Sequence, residues 1–310
     1  MKDQLITVFG AGGFIGRYVA QALLATGARV RVAQRDPRQA WFLKPLGGLG
    51  QTQFIAADVT HPASVARAVE GSNGVVNLVG AFDNMAALHV AGARTVAEAA
   101  TRAGVGALVH VSAIGADRES PSAYGRTKGE GEAAVRAACA RATILRPSLV
   151  FGAEDQFTNR FAAMIAAAPV LPVLRGGTRF QPVYVQNVAD AVLAALADPA
   201  SHAARSYELG GPDVLTMREI YSWIGQTIGR APPMLDLPDA VGNAIASLGF
   251  LPGAPITKDQ WLMLARDNVV AGGAEGLSAL GIDATPMASV APAWLVRYRR
   301  NGRFAKRQFA

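Results

Sequence analysis

Three glycines that follow a strand-like apolar run constrain this fold more than any other feature of the sequence. The run Leu5–Phe9 leads directly into Gly10, Gly13 and Gly16, and helical sequence follows. A strand that turns into a helix through glycines leaves a helix N-terminus open to receive a phosphate group. Glycine is common in turns anyway, so the meaning of this spacing depends on the strands and helices around it.

The first half of the chain alternates short β-rich apolar runs with helical stretches such as Ala86–Ala103 and Ser122–Ala138. This alternation is typical of buried parallel strands connected by helices. The predicted fold class is therefore α/β, a Rossmann-type doubly wound parallel sheet with a smaller mixed C-terminal lobe. The six predicted strands are Leu5–Phe9, Arg29–Ala33, Gln53–Ala56, Gly74–Val79, Ala107–Val111 and Ala142–Leu145.

The domain boundaries are predicted from where this alternation stops. After Arg146 glycine and proline become frequent, but Val183–Val185 and Val188–Leu196 look like one more strand–helix pair returning to the sheet. We therefore assign residues 1–150 and about 181–200 to the nucleotide-binding core. Residues 151–180 and 201–310 are assigned to the smaller lobe, which ends in a basic tail, residues 297–310.

The positive charge of the chain is concentrated in that tail. The net charge is +7, but the first 296 residues carry only +1. A general nucleic-acid-binding character is therefore not predicted. Aromatic residues among the cations fit an anionic surface, either lipid headgroups or a partner, and a disordered solubilising terminus is the alternative. The six cations are Arg297, Arg299, Arg300, Arg303, Lys306 and Arg307, and the aromatic residues are Tyr298, Phe304 and Phe309.

Composition limits the other classes of site. The single cysteine, Cys139, excludes an intramolecular disulfide framework, and the four histidines lack metal-ligand spacing, so no metal site is expected. The longest mostly apolar stretch, Phe161–Leu174, is 14 residues long, too short to span a membrane. No secretory signal precedes Leu5. We expect a cytoplasmic protein, with peripheral attachment to the cytoplasmic face of the inner membrane through the tail.

Cofactor choice is predicted from the end of the second strand. An NAD-selective site places a carboxylate there to accept from the ribose 2′-hydroxyl, but this chain has Gln34 followed by Arg35. A guanidinium can bind a 2′-phosphate, so NADP(H) is favoured over NAD(H). An exposed loop arginine, with Asp36 reaching the ribose, is the alternative. Asp58, after the third strand, fits either an adenine neighbour or an ordinary turn residue.

A tyrosine and a lysine four residues apart form the second candidate site. Tyr124 and Lys128 share one helical face, and Ser112 ends the strand before that helix. We expect the Lys128 ammonium to lower the pKa of the Tyr124 phenol, which would make it a usable acid. Ser112 would polarise a carbonyl of the substrate. A surface Tyr–Lys pair on an amphipathic helix is the alternative.

These motifs resemble the short-chain dehydrogenase/reductases of the extended or atypical kind. The resemblance rests on Gly10–Gly16, Ser112 and Tyr124–Lys128, and it implies that serine, tyrosine and lysine act together beside a nicotinamide. Arg146–Gly152 resembles the segment that lines the nicotinamide end of the site. The predicted cofactor-binding residues are Gly10, Gly12, Gly13, Phe14, Ile15, Gly16, Arg35, Asp58, Val59, Val79, Gly80, Tyr124, Lys128 and Pro147.

A narrower resemblance covers almost the whole chain. It is to the nucleotide-binding accessory-subunit family of respiratory complex I, in its alphaproteobacterial form. That resemblance implies a tightly held NADPH and a structural or assembly role that needs no turnover. It rests on Ser112–Asp117, Phe151–Phe157, Phe180–Val185, Thr257–Gln260, Asp267–Val270, Leu280–Ile282 and Trp294–Arg299.

Two hypotheses follow from the sequence. The first is an NADP(H)-carrying accessory or assembly component of complex I. The second is an NADP(H)-dependent oxidoreductase, epimerase or dehydratase that acts through Ser112, Tyr124 and Lys128. The triad favours the second hypothesis, and the C-terminal motifs with the basic tail favour the first.

Overall fold

The computed structural model describes residues 1–251 and 254–304, which form two compact units. The first unit comprises Met1–Pro147, Val185–Leu209 and Val270–Asp283. The second unit comprises Ser148–Tyr184, Gly210–Val269 and Ala284–Ala310, of which the part after 304 lies outside the described residues.

The strands are short, and the helices are mostly four turns or fewer. The strands are β1 Leu5–Phe9, β2 Arg29–Gln34, β3 Thr52–Ala56, β4 Gly74–Asn77, β5 Ala107–Val111, β6 Thr143–Pro147, β7 Val150–Phe151, β8 Leu171–Leu174, β9 Arg179–Phe180, β10 Val183–Tyr184, β11 Ser206–Leu209, β12 Leu215–Thr216 and β13 Met234–Leu237. The α-helices are α1 Phe14–Ala25, α2 Pro62–Val69, α3 Ala93–Arg102, α4 Ala123–Ala138, α5 Phe157–Ala167, α6 Val185–Ala197, α7 Pro199–His202, α8 Met217–Ile228, α9 Asp239–Ser247, α10 Lys258–Met263, α11 Met287–Val290 and α12 Pro292–Leu295. A π-helix covers Ala86–Gly92, and 3-10 helices cover Pro37–Leu46, Leu277–Leu280, Val296–Tyr298 and Gly302–Phe304.

A parallel sheet forms the centre of the first unit. Among the described residues it has seven strands in the order β11-β6-β5-β4-β1-β2-β3. All five residues of β1 are buried, which is why its sequence is a continuous apolar run. The strand order changes direction between β1 and β4, and in such sheets ligands bind beyond the carboxyl ends of the strands at that point. The predicted Rossmann-type fold is confirmed.

The seventh strand of this sheet is not the predicted one. Val183–Val185 was expected to return to the sheet, but β10 pairs with β7 within the second unit. Instead β11 pairs with β6, placing Tyr207 beside Leu145. The signal was weak because β11 has four residues and alternates polar with apolar side chains.

The first unit also contains a segment that was predicted to belong to the smaller lobe. The residues 270–283 belong with the first unit because they bond to β11. The Glu208 N–H donates to the Glu275 carbonyl at 2.8 Å, and the Glu208 carboxylate accepts from the Ala271 N–H at 2.8 Å. These long-range bonds leave no periodic signal in the sequence.

The first residues of the predicted basic tail are bonded to the second unit. Arg297 donates to the Ala153 carbonyl at 3.2 Å, and the Tyr298 hydroxyl donates to Asn159 Oδ1 at 3.2 Å. Arg299 Nε donates to the Thr227 carbonyl at 3.0 Å. The tail is therefore not one free segment from residue 297 onward. Its predicted members Lys306, Arg307 and Phe309 lie outside the described residues.

Within residues 1–251 and 254–304, no helix has the length and apolar character needed to cross a membrane. Over the same residues, no three His, Cys, Asp or Glu side chains are grouped so that they could hold a metal ion.

Candidate functional site

The glycine turn after β1 forms a backbone cradle at the start of α1. Gly10 has a φ of +82°, and the Gly13 N–H donates to the Gly10 carbonyl at 3.0 Å. A Cβ on Gly16 would lie 2.2 Å from that same carbonyl oxygen, so only glycine fits there. The helix then begins with Phe14 and Ile15, and its first turn has neither a side-chain cap nor an acidic residue. The N-terminal amides are thus available to an anion, as a dinucleotide phosphate requires.

The end of β2 is tied to the glycine turn by Gln34. The Gly12 N–H donates to Gln34 Oε1 at 3.0 Å, and Gln34 Nε2 donates to the Asp36 carbonyl at 2.7 Å. The Asp36 carboxylate is engaged by Arg38, whose Nε lies 2.9 Å from Oδ1, and this hydrogen bond lowers the pKa of Asp36. Arg35 is exposed between them. Asp36, the carboxylate nearest the strand end, is therefore already occupied by a cation.

Asp58, the residue that the sequence left open, holds a turn. Its Oδ1 accepts from the Thr60 N–H at 2.9 Å and from the Thr60 hydroxyl at 2.7 Å. These bonds are the main cause of the lowered pKa of Asp58, and the charge of Arg35 contributes to it. The next residue, Val59, is buried against Gly92, where an added Cβ would lie 2.6 Å from its Cγ2. Asp58 therefore serves as a turn residue, and the nearby Arg35 guanidinium favours its charged form.

Ser112, Tyr124 and Lys128 belong to β5 and α4 of the first unit. Lys128 Nζ donates to the Val111 carbonyl at 3.3 Å and lies 5.9 Å from the centroid of the Tyr124 ring. Ser112 directly follows Val111, and its buried hydroxyl makes no hydrogen bond to any described residue. A buried hydroxyl without a partner is costly, and it is expected where a ligand supplies the missing bond.

Burial controls the charges of this triad. It lowers the pKa of Lys128 to about 8, although the nearby Glu132 carboxylate acts in the opposite direction. Burial also raises the pKa of Tyr124 to about 12. The expectation that Lys128 lowers the pKa of Tyr124 is therefore wrong. Desolvation of the phenolate sets the direction of the Tyr124 pKa, and the Lys128 ammonium donates to the Val111 carbonyl.

His89 contacts the triad, although it was not among the predicted site residues. Its Nε2 accepts from the Ala81 N–H at 3.2 Å, so Nδ1 carries the proton and donates to Thr127 Oγ1 at 2.9 Å. The imidazole meets the Tyr124 ring edge to face at 5.5 Å between centroids, and Phe82 stacks on that ring at 4.9 Å. The histidines have no recognisable spacing, so only the packing of the π-helix against α4 reveals this contact.

The charge of Lys128 reaches His89 as well. Burial first, and the Lys128 ammonium second, lower the pKa of His89 to about 4. The imidazole is therefore neutral at pH 7, which agrees with its role as acceptor from the Ala81 N–H. A neutral His89 holds Tyr124 in place without adding a second positive charge beside Lys128.

The remaining predicted residues lie at the carboxyl ends of β4 and β6. Val79 packs against the apolar core of the first unit. A Cβ on Gly80 would lie 3.3 Å from Lys128 Nζ, so the backbone passes close to that ammonium. The Pro147 carbonyl, at the end of β6, accepts from the Ile114 N–H at 3.0 Å. The structure thus brings Gly80 to the triad, and it gives Pro147 a backbone role.

Comparison with known proteins gives matches of three kinds. Residues 6–210 match the NAD dependent epimerase/dehydratase family. Over 317 aligned residues the chain is 34% identical to the Arabidopsis thaliana mitochondrial protein NADH dehydrogenase [ubiquinone] 1 alpha subcomplex subunit 9, covering 96% of this chain and 78% of that one. It is 29% identical to a ceramide reductase of Caulobacter vibrioides, covering 91% of this chain and 86% of that protein.

A solved structure matches over nearly the whole fold. The NADPH complex of an Escherichia coli NADPH-dependent quinone oxidoreductase superposes with a TM-score of 0.77 at 21% identity, covering 94% of this chain and 99% of the other. At this identity the likeness concerns the fold, which is one that binds NAD(P).

Proposed function

This chain belongs to the NAD-dependent epimerase/dehydratase family, and we propose that it is an NADP(H)-binding accessory subunit of respiratory complex I. The glycine cradle of the first unit would hold the dinucleotide phosphates at the N-terminus of α1, because the first turn of that helix has no side-chain cap and no acidic residue. The nucleotide would then serve to stabilise the fold, since a ligand at a hundred times its Kd adds about 2.7 kcal/mol to the free energy of unfolding.

The choice of NADP(H) rests on the residues that follow β2, where the Asp36 carboxylate is paired and the Arg35 guanidinium is exposed. Gln34 stands where a carboxylate would accept from a ribose, and Arg38 engages the Asp36 carboxylate. Arg35 is left exposed beside them and can donate to a 2′-phosphate. A charge-assisted bond of this kind contributes about 1.5–3 kcal/mol, which corresponds to roughly one to two decades in affinity.

The association with complex I is supported by the relatives and by the tail. The Arabidopsis protein that is 34% identical over nearly the whole chain is named as a subunit of NADH dehydrogenase. The basic tail supports a peripheral position at an anionic membrane surface, because polybasic attraction is worth about 1 kcal/mol per residue there.

Native fractionation after mild detergent extraction tests this association. We expect the protein to migrate with the NADH:quinone oxidoreductase activity of its host membranes. Migration only as a free species would contradict the proposal.

Substitution of Arg35 tests the choice of nucleotide. We expect Arg35→Ala to weaken NADPH binding about ten- to a hundredfold and to leave NADH binding almost unchanged. Arg29→Ala, at the exposed start of the same strand, is the matched control and should change neither affinity. Equal weakening of the two nucleotides by Arg35→Ala would remove the 2′-phosphate assignment. Titration calorimetry measures both constants.

A second candidate function is NADPH-dependent reduction of a carbonyl, and the unpartnered Ser112 hydroxyl favours it. A substrate carbonyl could accept from that hydroxyl, and Tyr124 could then deliver the proton. NADPH, when bound, supplies the hydride. The Caulobacter vibrioides relative that is 29% identical is named as a reductase, which supports this candidate.

The two candidates differ in whether the nucleotide turns over. For the second candidate, Tyr124→Phe should abolish oxidation of NADPH by a panel of carbonyl compounds, and Ser112→Ala should reduce it. Tyr18→Phe, on the first helix, serves as the control for loss of a phenol hydroxyl. Turnover that survives Tyr124→Phe would exclude Tyr124 as the acid. No turnover in the wild type, together with tight NADPH binding, would favour the accessory role.

A further inference from the structure

Four large apolar side chains are exposed together in the first unit, on the 3-10 helix Pro37–Leu46 and the loop that follows it. Trp41 is 57% exposed, Phe42 42%, Leu46 47% and Leu49 fully exposed. We call these residues the Trp41 face. Single exposed apolar residues are common on proteins, but four within nine positions form a patch of the kind that marks interaction sites.

The Trp41 face is held by a defined local structure. Ala40 and Leu43, on the other side of the helix, are fully buried. Asp36 caps the helix by accepting from the Arg38 N–H at 3.1 Å. The inner residues therefore anchor the segment, and exposure of the outer aromatic rings is a consequence of this arrangement.

This face is joined to the glycine turn of the nucleotide site. Arg17 directly follows Gly16, and its guanidinium lies over the Phe42 ring, 4.8 Å from the centroid. Gln34 links the same two parts, because it accepts from the Gly12 N–H and donates to the Asp36 carbonyl. A partner on the Trp41 face would therefore contact the segment that also shapes the nucleotide site.

Cations predominate on the segment that carries the face. Arg35, Arg38 and Lys44 are exposed there, and the sequence from 37 to 57 contains no Asp or Glu. The Asp36 carboxylate is engaged by Arg38, and the Asp58 carboxylate lies near enough to Arg35 to interact with its charge. Lys44 is the cation of this segment that is farther along the helix from Asp36. A complementary surface would be apolar at its centre and would carry carboxylates at its rim.

The composition favours a protein partner over a lipid surface. Tryptophan, phenylalanine and arginine are the residues enriched at the centres of protein interfaces. Membrane-surface segments are instead long amphipathic α-helices with many cations on the polar side. The segment here is a ten-residue 3-10 helix interrupted by Pro45, with Arg38 and Lys44 as its cations.

We propose that the Trp41 face docks onto a protein surface with an apolar centre and an acidic rim, on a neighbouring subunit of the complex. This inference rests on the proposed accessory role and names the surface through which that role is carried out. Trp41 and Leu49 would be buried at the centre of the interface, and Lys44 would face carboxylates at its rim.

The test uses the full chain, expressed in its host, and native fractionation of detergent-extracted membranes. We expect Trp41→Ser/Leu49→Ser to lower the fraction that migrates with NADH:quinone oxidoreductase activity at least tenfold. NADPH affinity and the melting temperature should remain those of the wild type, since both side chains are exposed. Phe42 is left unchanged because it contacts Arg17. Val170→Ser/Leu235→Ser, two exposed apolar residues of the second unit, is the matched control and should migrate as the wild type does.

Charge reversal gives an independent reading of the partner. Lys44→Glu should weaken the association and reduce its sensitivity to salt. The docking proposal is overturned if the wild type migrates with the complex and Trp41→Ser/Leu49→Ser does so equally. A wild type that never migrates with the complex overturns the accessory role itself. If the double substitution instead abolishes flotation with vesicles of phosphatidylcholine and phosphatidylglycerol, the face binds lipid and the protein partner is wrong.

Discussion

Lys128 is the residue at which burial and charge conflict most directly. Its ammonium is buried, donates to the Val111 carbonyl, and has a pKa of about 8 instead of 10.5. The folded protein therefore disfavours the charged form that the unfolded chain holds freely. Such a lysine loses its proton readily, which would suit the proposed position of Lys128 beside Tyr124 and a nucleotide ribose.

The lowered pKa of Lys128 predicts how the free energy of unfolding depends on pH. Between about pH 8 and 10.5 the unfolded chain keeps the Lys128 proton and the folded protein has lost it. The free energy of unfolding should therefore rise with pH in this window, relative to the variant Lys128→Met, by on the order of 1–3 kcal/mol. Urea unfolding of both proteins from pH 7 to 10.5 measures the difference. A difference that stays constant with pH would show that Lys128 is not desolvated as described.

His89 gives the matching prediction on the acid side. Its pKa is about 4 in the folded protein and 6.5 in the unfolded chain, so the unfolded chain binds the extra proton as the pH falls through this window. Stability should decrease from pH 6.5 to 4, and His89→Gln should remove about 1–3 kcal/mol of that decrease. His202→Gln, a histidine with less burial, is the control. If the stability of His89→Gln decreases between pH 6.5 and 4 as much as that of the wild type, this assignment is wrong.

At the scale of residues, the sequence predicts which residues lie together in the candidate site better than it predicts their pKa values. The spacing of Tyr124 and Lys128 places both on one face of α4, and the structure brings the ammonium to the ring. The direction of the Tyr124 pKa could not be predicted, because it depends on how much water reaches the phenol. The contact with His89 could not be predicted either, since His89 is 35 positions from Tyr124 and 38 positions from Thr127 in the chain.

At the scale of elements, the site depends on how closely α4 packs against the π-helix Ala86–Gly92. Gly131 makes this approach possible, because an added Cβ would lie 2.2 Å from the His89 carbonyl oxygen. Thr127, one turn earlier on α4, accepts the hydrogen bond from His89. A change at Gly131 should therefore act on the triad through His89, without contacting it directly.

We predict that Gly131→Ala separates these two helices. Overpacking of this kind costs about 1–3 kcal/mol, which outweighs the gain of roughly 1 kcal/mol from replacing a helical glycine by alanine. The variant should also bind NADPH more weakly, because Tyr124 and Lys128 move with α4. Ala133→Ser, on the exposed side of α4, is the control. A Gly131→Ala protein that is more stable than the wild type would show that the helices have room to move.

The elements that the sequence predicts well are the strands with continuous apolar runs. β1 and β5 have the predicted limits, and β2, β3 and β6 differ by one or two residues. Long apolar runs specify such strands because both faces of the sheet are covered. β11 lacks that signal, and its place beside β6 is fixed by Tyr207 and Leu209, which are buried against β6 and its surroundings.

At the scale of the whole molecule, some of the cations of the basic tail are hydrogen-bonded to the second unit, so they contribute to packing as well as to charge. Arg297 and Arg299 each donate to a backbone carbonyl of the second unit. Their contribution is therefore partly structural, and a deletion from 297 onward would disturb the fold as well as the charge. Charge and packing can be separated only by choosing where the chain is cut.

Two truncations make this separation. Removal of residues 305–310 takes away Lys306 and Arg307 but none of the hydrogen bonds from Arg297, Tyr298 and Arg299. We expect its free energy of unfolding to equal that of the full chain. Binding to anionic vesicles should fall by up to about thirtyfold, at about 1 kcal/mol for each cation near the surface.

Removal of residues 297–310 should also destabilise the second unit, because four side-chain hydrogen bonds to Ala153, Asn159 and Thr227 are lost among the described residues. At about 0.5–1.5 kcal/mol for each bond, the cost is on the order of 2–6 kcal/mol. Urea unfolding and vesicle flotation measure the two effects separately. If both truncations are equally stable, the bonds from 297–299 contribute nothing to folding. If neither changes flotation, the tail does not bind lipid, and attachment then depends on protein contacts such as the Trp41 face.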